Sequence, residues 1–360
     1  MKIQLREQMF SDKEQLFLED GELKAYLFRY DSGVCGVKLE NSRGYIVVLP
    51  YQGQMVWEAV FDGRSLKMKN DCRIPKFRKE FRDTYGCYVM HCGILRMGCP
   101  SEKDTHPHHG ELPYVTYDEA AIVSGEDEKG RYLAVTGLYE YYKVFADHYA
   151  ARPMTKLYAG STLIDICLEV ENKGSAPMDL MYQCHINNAA VTGAKIYQTL
   201  PWDEEHMQAR LSIPQYSEVN PKFLDLLERV KKDVSVTRVI GEDDVYDPEI
   251  VTFLRNPVKD EKGFVHYLYV HPDGTADYTT YDANVLTCAV RWIVNHPDWQ
   301  AMGMVLPGTA EPEGYLAEKA KGHVRSLPGG ETFVSEITAG YLTAEEAQEK
   351  KKLIEKIMGE

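Results

Sequence analysis

Short segments in which apolar and polar residues alternate fill most of the chain. They include Tyr45 to Leu49, Met55 to Phe61, Ala121 to Ser124, Tyr132 to Leu138, Thr162 to Asn172 and Pro177 to Asn187. Successive side chains of an extended strand point to opposite faces, so this period of two predicts antiparallel β-structure. Clusters of Gly, Asp, Asn and Pro punctuate the runs. Gly125-Glu126-Asp127-Glu128-Lys129-Gly130 predicts a loop between two strands, and His271-Pro272-Asp273-Gly274 predicts a turn joining Phe264 to Val270 with Asp277 to Tyr281.

Two segments carry the helical period instead. Asn220 is placed to cap a helix with Pro221 at its first position, burying Phe223, Leu224, Leu227 and Val230. Thr343-Ala344-Glu345-Glu346 fits a capping box, followed by Leu353, Ile354 and Ile357 on one stripe. Both read as packing elements. With no Gly/Ser-rich linker, charge block or repeat to divide the chain, the expectation is one all-β domain over residues 1–360, with a C-terminal helix at about 344–358.

Composition narrows the class. A chain of 360 residues that is 44% hydrophobic can bury a large core. No apolar run approaches the roughly 18 residues that cross a bilayer. The start, Met1-Lys2-Ile3-Gln4-Leu5-Arg6-Glu7, lacks the apolar centre of a signal peptide, so the cytoplasm is the expected location, without membrane contact. The eight cysteines show no regular spacing and read as reduced thiols. A net charge of −14 argues against a nucleic-acid partner. The basic run from Arg73 to Arg82, interleaved with Phe77 and Phe81, reads as a solvated face.

Candidate chemistry concentrates in three places. His106-Pro107-His108-His109-Gly110-Glu111 sets three imidazoles and a carboxylate in six residues, a composition that can move protons or hold a metal. In Pro177 to Asn187, alternation puts His185 on one face with Asp179, Met181 and Gln183, away from the apolar Met178, Leu180, Tyr182 and Cys184. The stretch Met304 to Tyr315 ends a strand in a Pro-bounded loop that offers Glu311 and Glu313. Arg152 and Arg291 are candidate guanidinium donors. Trp202, Trp292 and Trp299 are candidate platforms for sugar faces.

The order of His109-Gly110, Val170-Glu171-Asn172, His185-Ile186-Asn187, and Leu306-Pro307 followed by Leu327-Pro328-Gly329-Gly330-Glu331 resembles the aldose 1-epimerase (galactose mutarotase-like) superfamily. It is most similar to an uncharacterised branch carrying Leu-His-Gly, Tyr-His-x-Asn and Glu-Pro motifs, and the resemblance runs from about Gly33 to Leu342. It implies a β-supersandwich that binds sugar across the concave face of the larger sheet. It also implies an isomerase in which a Glu takes the proton of the anomeric hydroxyl and a His protonates the ring oxygen. His185 matches that acid and His109 the sugar-binding His. Leu306 stands where the family has its Glu, which leaves Glu311 as the expected base, and Glu111 stands where close relatives have Arg. His108, Glu111, Asn187, Arg291 and Trp292 complete the expected sugar-binding set. The expected partner is a small-molecule carbohydrate, with no cofactor required. Two alternatives stay open. One is a metal-dependent isomerase or lyase for a keto or modified sugar, its divalent ion held by His106, His108 and Glu111. The His-x-His spacing supports it, because His106 and His108 project to one side of an extended segment. The other is a carbohydrate-binding protein without a reaction.

Overall fold

The computed structural model describes residues 1–77, 80, 83, 85–213 and 219–359. Arg78, Lys79, Phe81 and Arg82 of the basic run lie outside the described residues. Two antiparallel sheets, of nine and thirteen strands, hold most of the chain. The main path of the larger sheet runs from Met207–Ala209 through Ile250–Leu254, Cys288–Asn295, Gln300–Gly308, Met178–Ile186, Val89–Ile94 and Val56–Phe61 to an edge at Gln15–Asp20. In the smaller sheet Leu163–Asn172 pairs with His148–Tyr158 on one side and Thr332–Leu342 on the other.

The expected strands are present, most of them longer than the alternation indicated. Ala121 to Ser124 sits within Glu119–Asp127, and Tyr132 to Leu138 within Gly130–Tyr142. These two strands pair up to Asp127 and Gly130, so the loop expected over residues 125–130 is a tight hairpin end. The turn at residues 271–274 closes as expected, with the Gly274 amide donating to the His271 carbonyl at 2.9 Å and Gly274 at a φ of +88°.

Helices lie at Pro221–Lys232, Tyr315–Lys321 and Ala344–Met358. The Asn220 side chain accepts from the Lys222 amide, and the Thr343–Glu346 capping box forms in both directions. The first helix buries Phe223, Leu226, Leu227 and Val230, whereas Leu224, expected inside, is exposed. Leu226 and Val230 share a stripe four residues apart, and Leu224 falls off it. The helix Tyr315–Lys321 was not expected. It begins after Gly314 and ends at the left-handed Gly322, inside what reads in sequence as a Pro-bounded loop.

The main core lies between the sheets, where Val48, Phe61, Tyr182 and Ile186 meet Ile122, Val135, Ile164 and Leu168. Each large apolar side chain buried in this way contributes about 1.5–3 kcal/mol before the cost of ordering the chain. The opposite face of the larger sheet is also buried. Val47, Leu49, Met55, Trp57, Met90, Cys92 and Met181 form a second apolar group there, joined by Met97 and Ala310 from connecting segments. The face carrying His185, read in sequence as the polar one, is therefore a covered floor.

One histidine belongs to the inter-sheet core. His91 is buried, its Nδ1 lies 2.9 Å from the Tyr182 hydroxyl, and burial pushes its imidazole down to about 4. The unfolded chain, with an ordinary imidazole near 6.5, then binds more protons than the folded one between these values, so stability falls as pH drops from about 6.5 toward 4. The expected loss from His91 is about 3 kcal/mol across that window. Urea unfolding at a series of pH values should show His91→Phe flattening this slope by about one proton. An unchanged slope would show that His91 carries its proton in the fold.

Candidate active site

The strand Met178–Ile186 delivers His185 to the covered floor, and the segment following Val89–Ile94 folds back over it. That segment is fixed by its backbone. The His109 amide donates to the Gly98 carbonyl at 2.9 Å, and the His109 carbonyl accepts from the Gly93 amide at 2.9 Å. His109 has a φ of +59° and Gly110 a φ of +81°. A Cβ on Gly110 would lie 2.2 Å from the Arg96 carbonyl oxygen and 2.7 Å from that of Gly93, so only glycine fits. This turn sets the His109 ring 5.4 Å from that of His185, centroid to centroid, with His108 a further 4.8 Å away.

Three more aromatic contacts complete the floor. Trp292 from Cys288–Asn295 packs edge-on against His185 at 5.4 Å, and Tyr85 packs against both rings at 5.7 Å. The Tyr85 hydroxyl donates to Asn187 Oδ1 at 2.9 Å, and Asn187 Nδ2 in turn donates to the Cys87 carbonyl. Asn187, fully buried, thus positions Tyr85 beside His185.

Charged groups enter from the sheet edge. Glu249, one residue before Ile250–Leu254, accepts from Trp292 Nε1 at 2.7 Å and from the Arg210 guanidinium. Arg210 also reaches Glu313 at 3.5 Å, and its positive charge acts on the Cys99 thiol, partly offsetting the burial that pushes that thiol up. Cys99 Sγ lies 3.5 Å from His108 Nε2. The contacts form a closed circuit through His108, Cys99, Arg210, Glu249, Trp292, His185 and His109. Two of its imidazoles, His185 and His109, are desolvated. Burial pushes His185 down to about 3, the Asn187 hydrogen bond offsetting only part of this, and burial holds His109 well below the ordinary imidazole range, with repulsion from His108 and His185 adding to it. Both rings are neutral at pH 7.

The remaining expected residues lie elsewhere. Arg291 is on the opposite face of its strand from Trp292. It is fully buried between the sheets, donating to the Met304 carbonyl and to Gln198, with its guanidinium 5.0 Å from the Trp202 ring. Alternation alone separates it from the floor. Arg152 pairs with Glu169 and Glu171 on the smaller sheet. The Glu111 carboxylate accepts from the Leu95 amide at 3.0 Å and the Tyr149 hydroxyl at 2.6 Å, pinning the covering segment to the other sheet. His106 Nε2 accepts from the Tyr315 amide at 3.3 Å, at the start of the short helix. His106, His108 and Glu111 therefore do not converge as one ligand set. Their segment folds into turns instead of an extended strand, and each side chain has its own partner.

Glu311 is buried in a charge cluster. Its carboxylate meets Arg255 at 2.6 and 3.0 Å and Lys321 at 2.7 Å, and its amide donates to Glu318. Burial pushes the carboxyl up, but Arg255 and Lys321 more than reverse this and leave it below the usual carboxylate range. Leu306 belongs to an apolar group with Val251, Phe253 and Val290, against which Trp292 packs. Sequence reasoning passed over Tyr85, Cys99, Arg210 and Glu249, which belong to scattered segments with no local motif, while Glu313 is one of the two carboxylates of the Pro-bounded loop.

The domain of unknown function DUF4432 matches residues 31–340. Among curated proteins none matches the sequence. A candidate aldose 1-epimerase from Klebsiella pneumoniae superposes with a TM-score of 0.83 at 14% identity, over 100% of this chain and 96% of that one. A galactose mutarotase-like protein from Clostridium acetobutylicum gives 0.59 at 14% identity, over 89% and 99%. Another from Lactobacillus casei gives 0.53 at 13%, over 85% and 99%. At these identities the likeness shows the fold alone. The architecture is galactose mutarotase-like, and with the family match spanning most of the sequence, the chain belongs to the DUF4432 family.

Proposed function

We propose that the protein is a carbohydrate isomerase of the aldose 1-epimerase type, which opens a cyclic sugar and recloses it on either face. One observation carries this reading: Trp292 bridges a buried imidazole and a carboxylate, its ring packing on His185 at 5.4 Å and its Nε1 donating to Glu249 at 2.7 Å. An indole face suits the C–H face of a sugar ring, and the flanking pair offers one proton donor and one acceptor.

In the proposed reaction Glu249 takes the proton of the anomeric hydroxyl while the His185 N–H donates to the ring oxygen. The bond between the anomeric carbon and the ring oxygen breaks, and the ring oxygen, its charge steadied by that hydrogen bond, takes up the proton left on Glu249 by way of water, giving an open-chain aldehyde. Rotation about the adjacent C–C bond exposes the other carbonyl face, and the same transfers in reverse close the ring. Because burial keeps His185 neutral, it works as a neutral hydrogen-bond donor that strengthens as charge gathers on the ring oxygen. His109 lies beside it as a sugar contact. Glu249 is preferred to Glu311 as base because it adjoins Trp292 and shares its one cation, Arg210, with Glu313, whereas Glu311 lies in a separate cluster with two cations, Arg255 and Lys321, on its carboxylate.

Anomeric exchange measured by NMR across neutral, acidic and keto sugars tests the assignment. His185→Ala and Glu249→Gln should each lower kcat/KM for the accepted sugar by about 10²–10⁴-fold. Glu311→Gln should keep activity within a few-fold yet lose roughly 1–3 kcal/mol of stability, discounted for the half-exposed Arg255 and Lys321. Loss of activity in Glu311→Gln alone, with Glu249→Gln active, would reverse the assignment. No exchange with any sugar would end the isomerase reading.

The ionisation state has its own check. With its imidazole pushed down to about 3, His185 should show neutral ring ¹⁵N shifts from pH 8 down to pH 5, assigned by loss of the signal in His185→Gln. The pH profile of kcat/KM should then lack a His185 limb near 6.5. A His185 titration midpoint near 6.5 would contradict the burial argument.

A further inference from the structure

Cys99, His108 and His109 each present a ligand atom, and the three atoms lie within 4.8 Å of one another. The Cys99 Sγ to His108 Nε2 distance is 3.5 Å. A tetrahedral zinc ion with Zn–S near 2.3 Å and Zn–N near 2.0–2.1 Å would hold such a pair about 3.6 Å apart. The frame behind the group is braced at several points. The His109 amide donates to the Gly98 carbonyl, the Cys99 amide donates to the Pro312 carbonyl at 2.9 Å, and the His108 carbonyl accepts from the Tyr114 hydroxyl at 2.7 Å. We propose that Cys99, His108 and His109 form a binding site for a borderline-soft divalent cation of the zinc class.

The ligand types fit that class, since one thiolate and two imidazoles suit zinc and disfavour the hard oxygen-seeking magnesium and calcium ions. Three protein ligands leave a fourth position for water or a substrate oxygen. Charge around the site is compatible. Arg210, whose charge acts on Cys99, is matched by two carboxylates, Glu249 and Glu313. His108 is exposed and Cys99 half-buried, which gives an ion a route in. The other ligand-like group among the described residues, Glu311, Glu318 and His323, is a poor competitor. Lys321 lies 2.7 Å from both carboxylates and Arg255 pairs with Glu311, so two side-chain cations already fill it.

The cation site stands on geometry independently of the isomerase reading. Only its consequence rests on that reading: an ion next to His109, whose ring adjoins His185, would lie beside the proposed sugar and could polarise a hydroxyl or carbonyl oxygen there.

The test uses full-length protein purified without a histidine tag, stripped with chelator and titrated with Co²⁺ and Zn²⁺. One equivalent of Co²⁺ should bind, giving a four-coordinate visible spectrum and a thiolate-to-cobalt charge-transfer band. Cys99→Ala and His108→Ala should each weaken binding by at least about 100-fold, since losing even an outer partner of a metal site costs 10–100-fold. Glu318→Gln should bind as tightly as the native chain. Zn²⁺ should also shield Cys99 from alkylation in the unmutated protein, read by peptide mapping, which decides the matter if a variant does not fold. Co²⁺ binding without the thiolate band, undiminished affinity in Cys99→Ala, or unprotected Cys99 would each overturn the site. Anomeric exchange that survives chelation while Cys99 and His108 bind metal removes the proposed consequence and leaves the site. Exchange by a protein that binds no metal removes the site and leaves the isomerase.

Discussion

A strand at the centre of a sheet presents side chains to two sides, and in Met178–Ile186 both sides are shielded from water. Tyr182 and Ile186 face the other sheet, while Met181 and His185 face a floor covered by connecting segments. A polar group placed on such a floor is desolvated without entering the main core, and this determines its protonation. His185 and His109 are neutral for the same reason as the structural His91. The surroundings differ. His91 meets one tyrosine hydroxyl inside the core, whereas His185 and His109 belong to a circuit of side chains that includes carboxylates and a guanidinium. The small set of backbone contacts around His109 and Gly110 keeps that circuit closed, because the covering segment is held at Gly93, Gly98 and Pro312.

The fold was largely legible because alternation is a local property. Each strand declares its own buried faces, and the two capped helices carry their start signals within four residues. Errors arose where a side chain's environment is supplied from a distance. Leu224 and Leu226 look equivalent as letters, and only the stripe that meets the core separates them. The short helix Tyr315–Lys321 sits in a segment whose Gly and Pro content reads as loop. It is held from outside, by Asp104 accepting from the Leu316 amide and by His106 facing the Tyr315 amide.

The candidate site shows the same division. His109, His185 and Trp292 come together on one floor. Arg291, adjacent to Trp292 in sequence, lies on the other side of the sheet by the same alternation rule. That placement is legible in the sequence. The location of Glu311 is not, because Arg255 and Lys321 reach it from separate elements. Nor is Glu249, which enters by pairing with an arginine 39 residues earlier and an indole 43 residues later. Glu249 lies just outside the strand Ile250–Leu254, beyond the reach of its alternation, so no local period marks it.

Leu306 draws these points together. Read as a letter against the family pattern, it removes the base and argues for a lost reaction. In the fold it belongs to an apolar patch with Val251, Phe253 and Val290, which supports the indole of Trp292. A carboxylate in that patch would need a partner for its charge, and the nearby guanidinium of Arg210 is already paired with Glu249 and Glu313. Glu249 instead stands where both of its oxygens have donors, at the far end of the same indole. Under the proposed assignment the acidic group lies at the far end of Trp292 from the apolar patch that holds Leu306. The imidazoles are divided as well. His106 and Glu111 brace the covering segment, leaving His108 and His109 to face Cys99. The chemistry of the histidine-rich turn is therefore set by where its backbone reverses more than by how many imidazoles it contains.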